Sequence, residues 1–435
     1  MENTTKALTL LIGAVALTGA ASAETLVIEG GTVHPMTSAP YVGHVVIEDG
    51  IISAAGPDAV TPPGAATLDA AGLHVYPGLF DALSQLGLVE IGAVAATNDQ
   101  TEMGSYNPQL RAATAIHPAS EVIPVTRANG VTHTVVAPRP GEGGVILGQA
   151  ALVHLDGWTI EEMALDPEVA MVIQWPAIVT RRFDMATFSM RETPFKEAKE
   201  KAEEQRAELR DWLEAARHYS QAAKAGSDRL ERNLELEALA RVLEGEQAVV
   251  VIAHEKRDIE SAVAFAEEEG LRMILAGGRD AWQVKELLAE KQIPVILGFT
   301  QSLPQEEDDP YDRPYRNPGE LASAGVKITV ASGAGGGFGP GGPHSSRTVP
   351  YETAMAVGYG LTEEEALKAL TLYPAQIYGV DDKLGSVEPG KIANLIVTDG
   401  NPLDITTQIL HLIIQGKQMS TANRHQRLWE RYRAR

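Results

Sequence analysis

Between residues 249 and 331 short apolar runs alternate with helical stretches at nearly regular spacing, and few folds accommodate that rhythm. The runs at 249–253, 273–276, 294–298 and 328–331 have the length and aliphatic content of strands, while 259–269, 282–290 and 321–324 read as helices. Strand, helix and strand in succession imply crossover connections and a parallel sheet covered by helices. The number of such units predicts an α/β fold, a (β/α)8 barrel of the TIM type, better than an open doubly wound sheet. No Gly-x-Gly-x-x-Gly opens a helix, so a dinucleotide-binding fold has no support.

Both ends of the chain read differently. Residues 25–28 and 44–47 are β-like, followed by the hairpin signal Glu48-Asp49-Gly50, and 393–397 and 409–414 are strand-like with a turn at Glu388-Pro389-Gly390-Lys391. The organisation expected is a small β-sandwich domain built from residues 24–75 and 385–420, a barrel over 76–384, and a C-terminal tail at 421–435. A helical insertion is expected near 193–243, where Ala198, Ala202, Leu209, Trp212, Leu213, Ala216 and Tyr219 fall near helical spacing. Its charges read as a solvated face laced by i,i+4 pairs. Residues 301–316 and the glycine-rich 333–342 read as loops after strands 7 and 8, hence on the C-terminal face where barrel enzymes carry their sites.

Lys6, the apolar run 7–20 and Ala21-Ser22-Ala23 form a signal-peptide pattern over residues 1–23, so the mature chain is expected to begin at Glu24 and to be secreted, into the periplasm. The apolar run is short for a bilayer and no later stretch replaces it, so no membrane span is expected after cleavage. There is no cysteine, which excludes disulfides, thiolate zinc sites and cysteine nucleophiles. With 36 Lys and Arg against 58 Asp and Glu, the net charge of −22 argues against nucleic acid as a partner.

Three stretches carry a family likeness. Val75-Tyr76-Pro77-Gly78-Leu79-Phe80-Asp81 has the form of a first barrel strand. Glu364-Glu365-Ala366-Leu367-Lys368-Ala369-Leu370-Thr371 through Pro374-Ala375 has that of a last barrel helix, and Leu384-Gly385-Ser386-Val387-Glu388-Pro389-Gly390-Lys391 that of a turn into a small β domain. With Ile392-Ala393-Asn394-Leu395-Ile396-Val397, where Asn394 stands in place of the usual aspartate, they resemble the amidohydrolase superfamily, in its imidazolonepropionase-like branch, over nearly the whole mature length.

The resemblance implies hydrolysis of carbon–nitrogen bonds in non-peptide or cyclic amides, with one or two divalent metals at the barrel mouth activating a water. The ligand positions it implies hold Leu83 and Gln85 after strand 1, Ile252 after strand 5, Gly277 after strand 6 and Gly333 after strand 8. A slip of two residues would bring His254 into the third position. Otherwise no first shell remains, so the metal is expected to be absent, with no cofactor predicted and zinc only if residues such as His344 or Glu255 rebuild a site.

The polar residues expected at the mouth are Ser84, Gln85, Glu90, Asp99, Glu102, His254, Glu255, Arg279, Asp280 and Ser332. His254 with Glu255 is the best acid–base pair, although neighbours on a strand point to opposite faces and Glu255 could instead pair with Arg257. Ser332 lacks the Gly-x-Ser-x-Gly surroundings of a nucleophile elbow. His117, His133 and His154 read as satisfied polar residues near strand ends. Three readings follow: a divergent, metal-free protein whose mouth binds a small molecule, a peptide or a partner subunit; a hydrolase working through His254 with a neighbouring carboxylate; or a conventional metalloenzyme whose ligands lie at other positions than these. A homo-oligomer is compatible with each.

Overall fold

The computed structural model describes residues 25–141, 143–184, 188–226, 230–304, 309–335, 342–433 and 435. The segment read as a signal peptide, most of the glycine-rich stretch and most of the acidic run at 305–309 lie outside the described residues.

The chain opens with five strands, β1 (Thr25–Val33), β2 (Tyr41–Glu48), β3 (Ile51–Gly56), β4 (Ala66–Asp69) and β5 (His74–Pro77). Strand β1 changes partner at an irregularity between Ile28 and Gly31: its first half pairs in parallel with β4, and Thr32 and Val33 pair with β5. Near the other end, β16 (Leu395–Thr398), β17 (Ile409–Ile414) and β18 (Lys417–Met419) extend the same sheet, β16 lying antiparallel to β5 with Leu395 opposite Pro77. One branched eight-stranded sheet thus joins both ends around its own core of Ile28, Val33, Val45, Ile47, Leu68, Val75, Leu395, Val397 and Ile413. It keeps the chain until Pro77, two residues beyond the boundary read from sequence, and the barrel starts at Leu79.

A second eight-stranded sheet follows the order β6 (Leu79–Ser84), β7 (Val131–Val136), β8 (Ile146–His154), β9 (Ala164–Gln174), β12 (Ala248–Ala253), β13 (Met273–Gly277), β14 (Val295–Leu297) and β15 (Ile328–Val330). A short ribbon, β10 (Arg181–Asp184) with β11 (Ser189–Glu192), stands between β9 and the helices. Along β12, Ala248 and Val250 face the barrel interior with Ile252, while Val249, Val251 and Ala253 join the core under the helices. Strands buried on both faces read as continuous apolar runs, which is why they stood out in the sequence. In chain order the helices are α1 (Val122–Arg127), α2 (Ile160–Met163), α3 (Phe195–Lys224), α4 (Leu234–Leu243), α5 (Lys256–Glu269), α6 (Lys285–Glu290), α7 (Arg313–Ser323), α8 (Val349–Val357), α9 (Glu363–Ala369), α10 (Leu372–Tyr378) and α11 (Arg424–Tyr432).

The barrel departs from a uniform (β/α)8 pattern in one strand. β8 runs antiparallel to both β7 and β9, because the chain turns back after β7 through a loop instead of crossing over with a helix. Between β6 and β15 no regular ladder forms, and isolated backbone and side-chain hydrogen bonds close the gap instead. The amide of Gly333 donates to Leu83 O at 2.7 Å, and both the amide (3.0 Å) and hydroxyl (2.6 Å) of Ser332 donate to the carboxylate of Asp81. On the barrel floor, Asn394 Nδ2 donates to His154 Nδ1 at 3.0 Å while its Oδ1 accepts from Gln415 N at 2.8 Å, tying the two sheets together. Burial draws the pKa of His154 down to about 4, so a neutral ring accepts that bond.

Candidate functional site

Strands β6, β12, β13, β14 and β15 end around a cavity of about 520 Å³. On β12 the inward face runs from Ala248 through Val250 and Ile252, and the same parity carries His254 one step beyond the strand onto the cavity wall. Gln85, immediately after β6, together with Arg279, Asp280 and Ser332 also stands on that wall. Arg279 lies 3.4 Å from Asp280, whose other oxygen accepts the amide of Lys256 at 3.2 Å, so Asp280 is held by the start of α5. Beneath them, Leu83 is fully buried among the apolar side chains of the barrel interior, with Ile252 packed against the same group.

Several sequence expectations are corrected by this geometry. Ser84 does not reach the mouth: it is buried and points toward β7, where its Oγ accepts from the Thr134 hydroxyl at 2.9 Å. Glu90 lies in the loop after β6 and is not part of the cavity wall, and Asp99 and Glu102 are exposed outside it. Glu255 does not orient His254. It points outward at the start of α5, 3.3 Å from Arg257 and 3.7 Å from Arg279, because consecutive residues leaving a strand turn to opposite sides. His344 is exposed and likewise not on the wall.

His254 is therefore an imidazole without a carboxylate partner. Burial, reinforced by the Arg279 cation, pulls its pKa down to about 4, so it is neutral near pH 7 and a weak base. Ser332 is no better placed as a nucleophile, since its hydroxyl is 1% exposed and held between Asp81 and, at 3.0 Å, the hydroxyl of Ser346. Asp81 itself is fully buried, and burial lifts its pKa to about 6 against the opposing pull of the Ser332 hydrogen bonds.

The residues at the mouth do not fit a divalent metal. Leucine, isoleucine and glycine offer no side-chain donor, and the amide of Gln85 is a poor substitute for imidazole or carboxylate. Two of the positions are closed sterically as well. A β-carbon on Gly277 would lie 2.4 Å from His254 Cε1, and one on Gly333 would lie 2.7 Å from Gln85 Nε2 and 2.8 Å from Leu83 O. Among the described residues no three His, Cys, Asp or Glu side chains stand close enough to share an ion.

Sequence reading missed the charged wall residues Arg139, Arg181, Arg313 and Asp309, and the staple of Asp81. Arg139 follows the largely β-branched stretch Val131-Thr132-His133-Thr134-Val135-Val136 by three residues, and a charged residue beyond a strand end was the signal available.

Residues 312–421 match the amidohydrolase family. The structure superposes on the amidohydrolase from Thermotoga maritima MSB8 with a TM-score of 0.77 and 25% identity, covering 91% of this chain and 99% of that one. The chain belongs to the amidohydrolase superfamily. It is also 24% identical over 401 residues to the amidohydrolase tasK of Hapsidospora irregularis, covering 86% of this chain and 40% of that protein. A shorter likeness, 31% over 112 residues, links it to the N-substituted formamide deformylase of Arthrobacter pascens, covering 22% of this chain and 20% of that protein. The chain thus spans well under half the length of these curated relatives. Members of the superfamily typically bind a divalent metal such as zinc; among the described residues of this chain no group of three His, Cys, Asp or Glu stands close enough to hold one.

Proposed function

We propose that this amidohydrolase-superfamily chain, of the imidazolonepropionase-like branch, has lost metal-dependent hydrolysis of carbon–nitrogen bonds and uses its barrel mouth to bind a small molecule or peptide. The observation that supports this reading is that the positions the resemblance implies for two ligands are glycines, Gly277 and Gly333, and a β-carbon on either would fall within 3 Å of a neighbouring atom. Loss of the metal removes several kcal/mol of transition-state stabilisation that side chains alone rarely replace. Elemental mass spectrometry on untagged protein purified without chelators tests it. Metal far below one equivalent is the expected result, and stoichiometric zinc, iron or manganese would overturn the reading.

A second reading keeps hydrolysis and assigns it to His254, which the position of that ring on the cavity wall favours. Metal-free turnover of amide substrates that disappears in His254→Ala would establish it, and turnover indifferent to that change would dismiss it. Export to the periplasm belongs to the same proposal, with a mature N-terminus at Glu24 as its signature in Edman sequencing. No helix of the described residues is long and apolar enough to cross a membrane. Assembly as a homo-oligomer or with a partner subunit is the remaining part of the proposal, read by light scattering on the purified chain.

A further inference from the structure

The chain carries a net charge of −22, yet the cavity wall is rich in cations. Among the described residues Arg139, Arg181, Arg279 and Arg313 stand on it against two carboxylates, Asp280 and Asp309. Three of the four guanidinium groups are engaged with acidic partners of the protein. Arg181 lies 3.6 Å from Glu192, Arg279 pairs with Glu255 and Asp280, and Arg313 bonds Glu320 at 2.6 Å while stacking over Trp282.

Arg139 is different. Its side chain is half-buried and has no hydrogen bond or ion pair among the described residues. A guanidinium drawn out of water without a partner costs free energy, and a fold tolerates that cost most readily where a ligand completes the pair. Its planar fork of donors matches two oxygens of one anionic group. Of the other wall residues, His254 is a neutral ring near pH 7, Gln85 is an amide, the Ser332 hydroxyl is already committed to Asp81, and the carboxylate of Asp280 is held by Arg279 and the Lys256 amide.

We infer that the ligand of the barrel mouth is a small anion, a carboxylate or phosphate, whose paired oxygens are received by Arg139. This rests on the mouth being a binding site and adds the charge and chemistry of what it binds.

Isothermal titration of the purified full chain in a chloride buffer of fixed ionic strength tests the inference with three probes: glutarate, its neutral isostere glutaramide, and orthophosphate. At least one anion should bind while glutaramide does not, and the stronger of the two identifies the carboxylate or phosphate source. Arg139→Met should weaken that binding about tenfold or more, the loss of a charge-assisted contact, with Arg139→Lys falling between. Should Arg139→Met fail to fold, Arg139→Lys alone carries the comparison. Silence from both anions, glutaramide binding as tightly as glutarate, or anion binding indifferent to residue 139 would each overturn the inference. Stoichiometric metal in the same preparation would overturn only the non-catalytic reading, because the anion titration and its dependence on residue 139 are read separately.

Discussion

Gly277 combines a φ of +92° with a close approach to the ring of His254, so an alanine there meets both a left-handed backbone penalty and a clash. Gly277→Ala should lower unfolding free energy in urea by about 2–4 kcal/mol, the sum expected of backbone strain and overpacking. Part of that loss should return in Gly277→Ala/His254→Ala, where the ring is gone, and a loss unchanged in the double variant would show that contact with His254 is not its cause. Asp81 makes a different kind of statement at the same scale. Its folded pKa of about 6 lies above the unfolded value, so the folded protein holds an extra proton between roughly pH 4 and 6. The contribution of Asp81 is therefore most favourable below pH 4 and declines as pH rises, a difference of order 3 kcal/mol complete above pH 6. Asp81→Asn keeps an acceptor for the Ser332 amide and cannot ionise, so its stability between pH 4 and 6 should fall less steeply than that of the unaltered chain by about one proton's slope. Parallel pH profiles would refute this. Which polar residues meet at the mouth was only partly legible in sequence: Ser84 and Gln85 are adjacent yet point to different sides, and a strand's parity cannot be assigned until its register is known.

The element most visible in the sequence, α3, is held by that visible pattern. Ala198, Ala202, Leu209, Leu213 and Ala216 form its buried stripe, while Lys196–Glu200 and Lys199–Glu203 pair along the exposed side. Arginines from the same helix reach across to neighbouring segments, Arg206 to Pro176 O at 2.8 Å and Arg217 to Glu269 of α5 at 2.5 Å. Leu209→Ala should cost about 2–5 kcal/mol in urea unfolding, since the side chain is fully buried, whereas Lys196→Ala should cost under about 0.5 kcal/mol. Comparable losses at the two positions would mean that the helix is held by its ion pairs instead of its stripe. The direction of β8 was not legible for a related reason. All nine of its residues are buried, and a strand covered on both faces gives a continuous apolar run whether its neighbours are parallel or antiparallel. Hydrophobic pattern reports burial, and direction depends on the length of the connections, where the described residues between β7 and β8 carry no helix.

For the molecule as a whole, the question is whether barrel and small sheet unfold together. The strands that close the small sheet alternate between two cores: Leu395, Val397 and Ile413 face the sheet's own interior, while Ile396, Leu412 and Ile414 join the core that lies between the barrel and its surroundings. Because β5 and β16 come from opposite ends of the chain and pair directly, neither end can leave the sheet without exposing the barrel floor. Ile396 is fully buried at that joint, and Ile396→Ala should remove about 2–5 kcal/mol. The tryptophans make the coupling measurable, since all five, Trp158, Trp175, Trp212, Trp282 and Trp429, lie outside the small sheet. If the two parts form one cooperative unit, tryptophan fluorescence and far-ultraviolet circular dichroism should give the same urea midpoint, and both should shift together in Ile396→Ala. A fluorescence transition left in place while the dichroism splits into two steps would instead mean that the barrel stands without its companion sheet, and that the shared core contributes little to either.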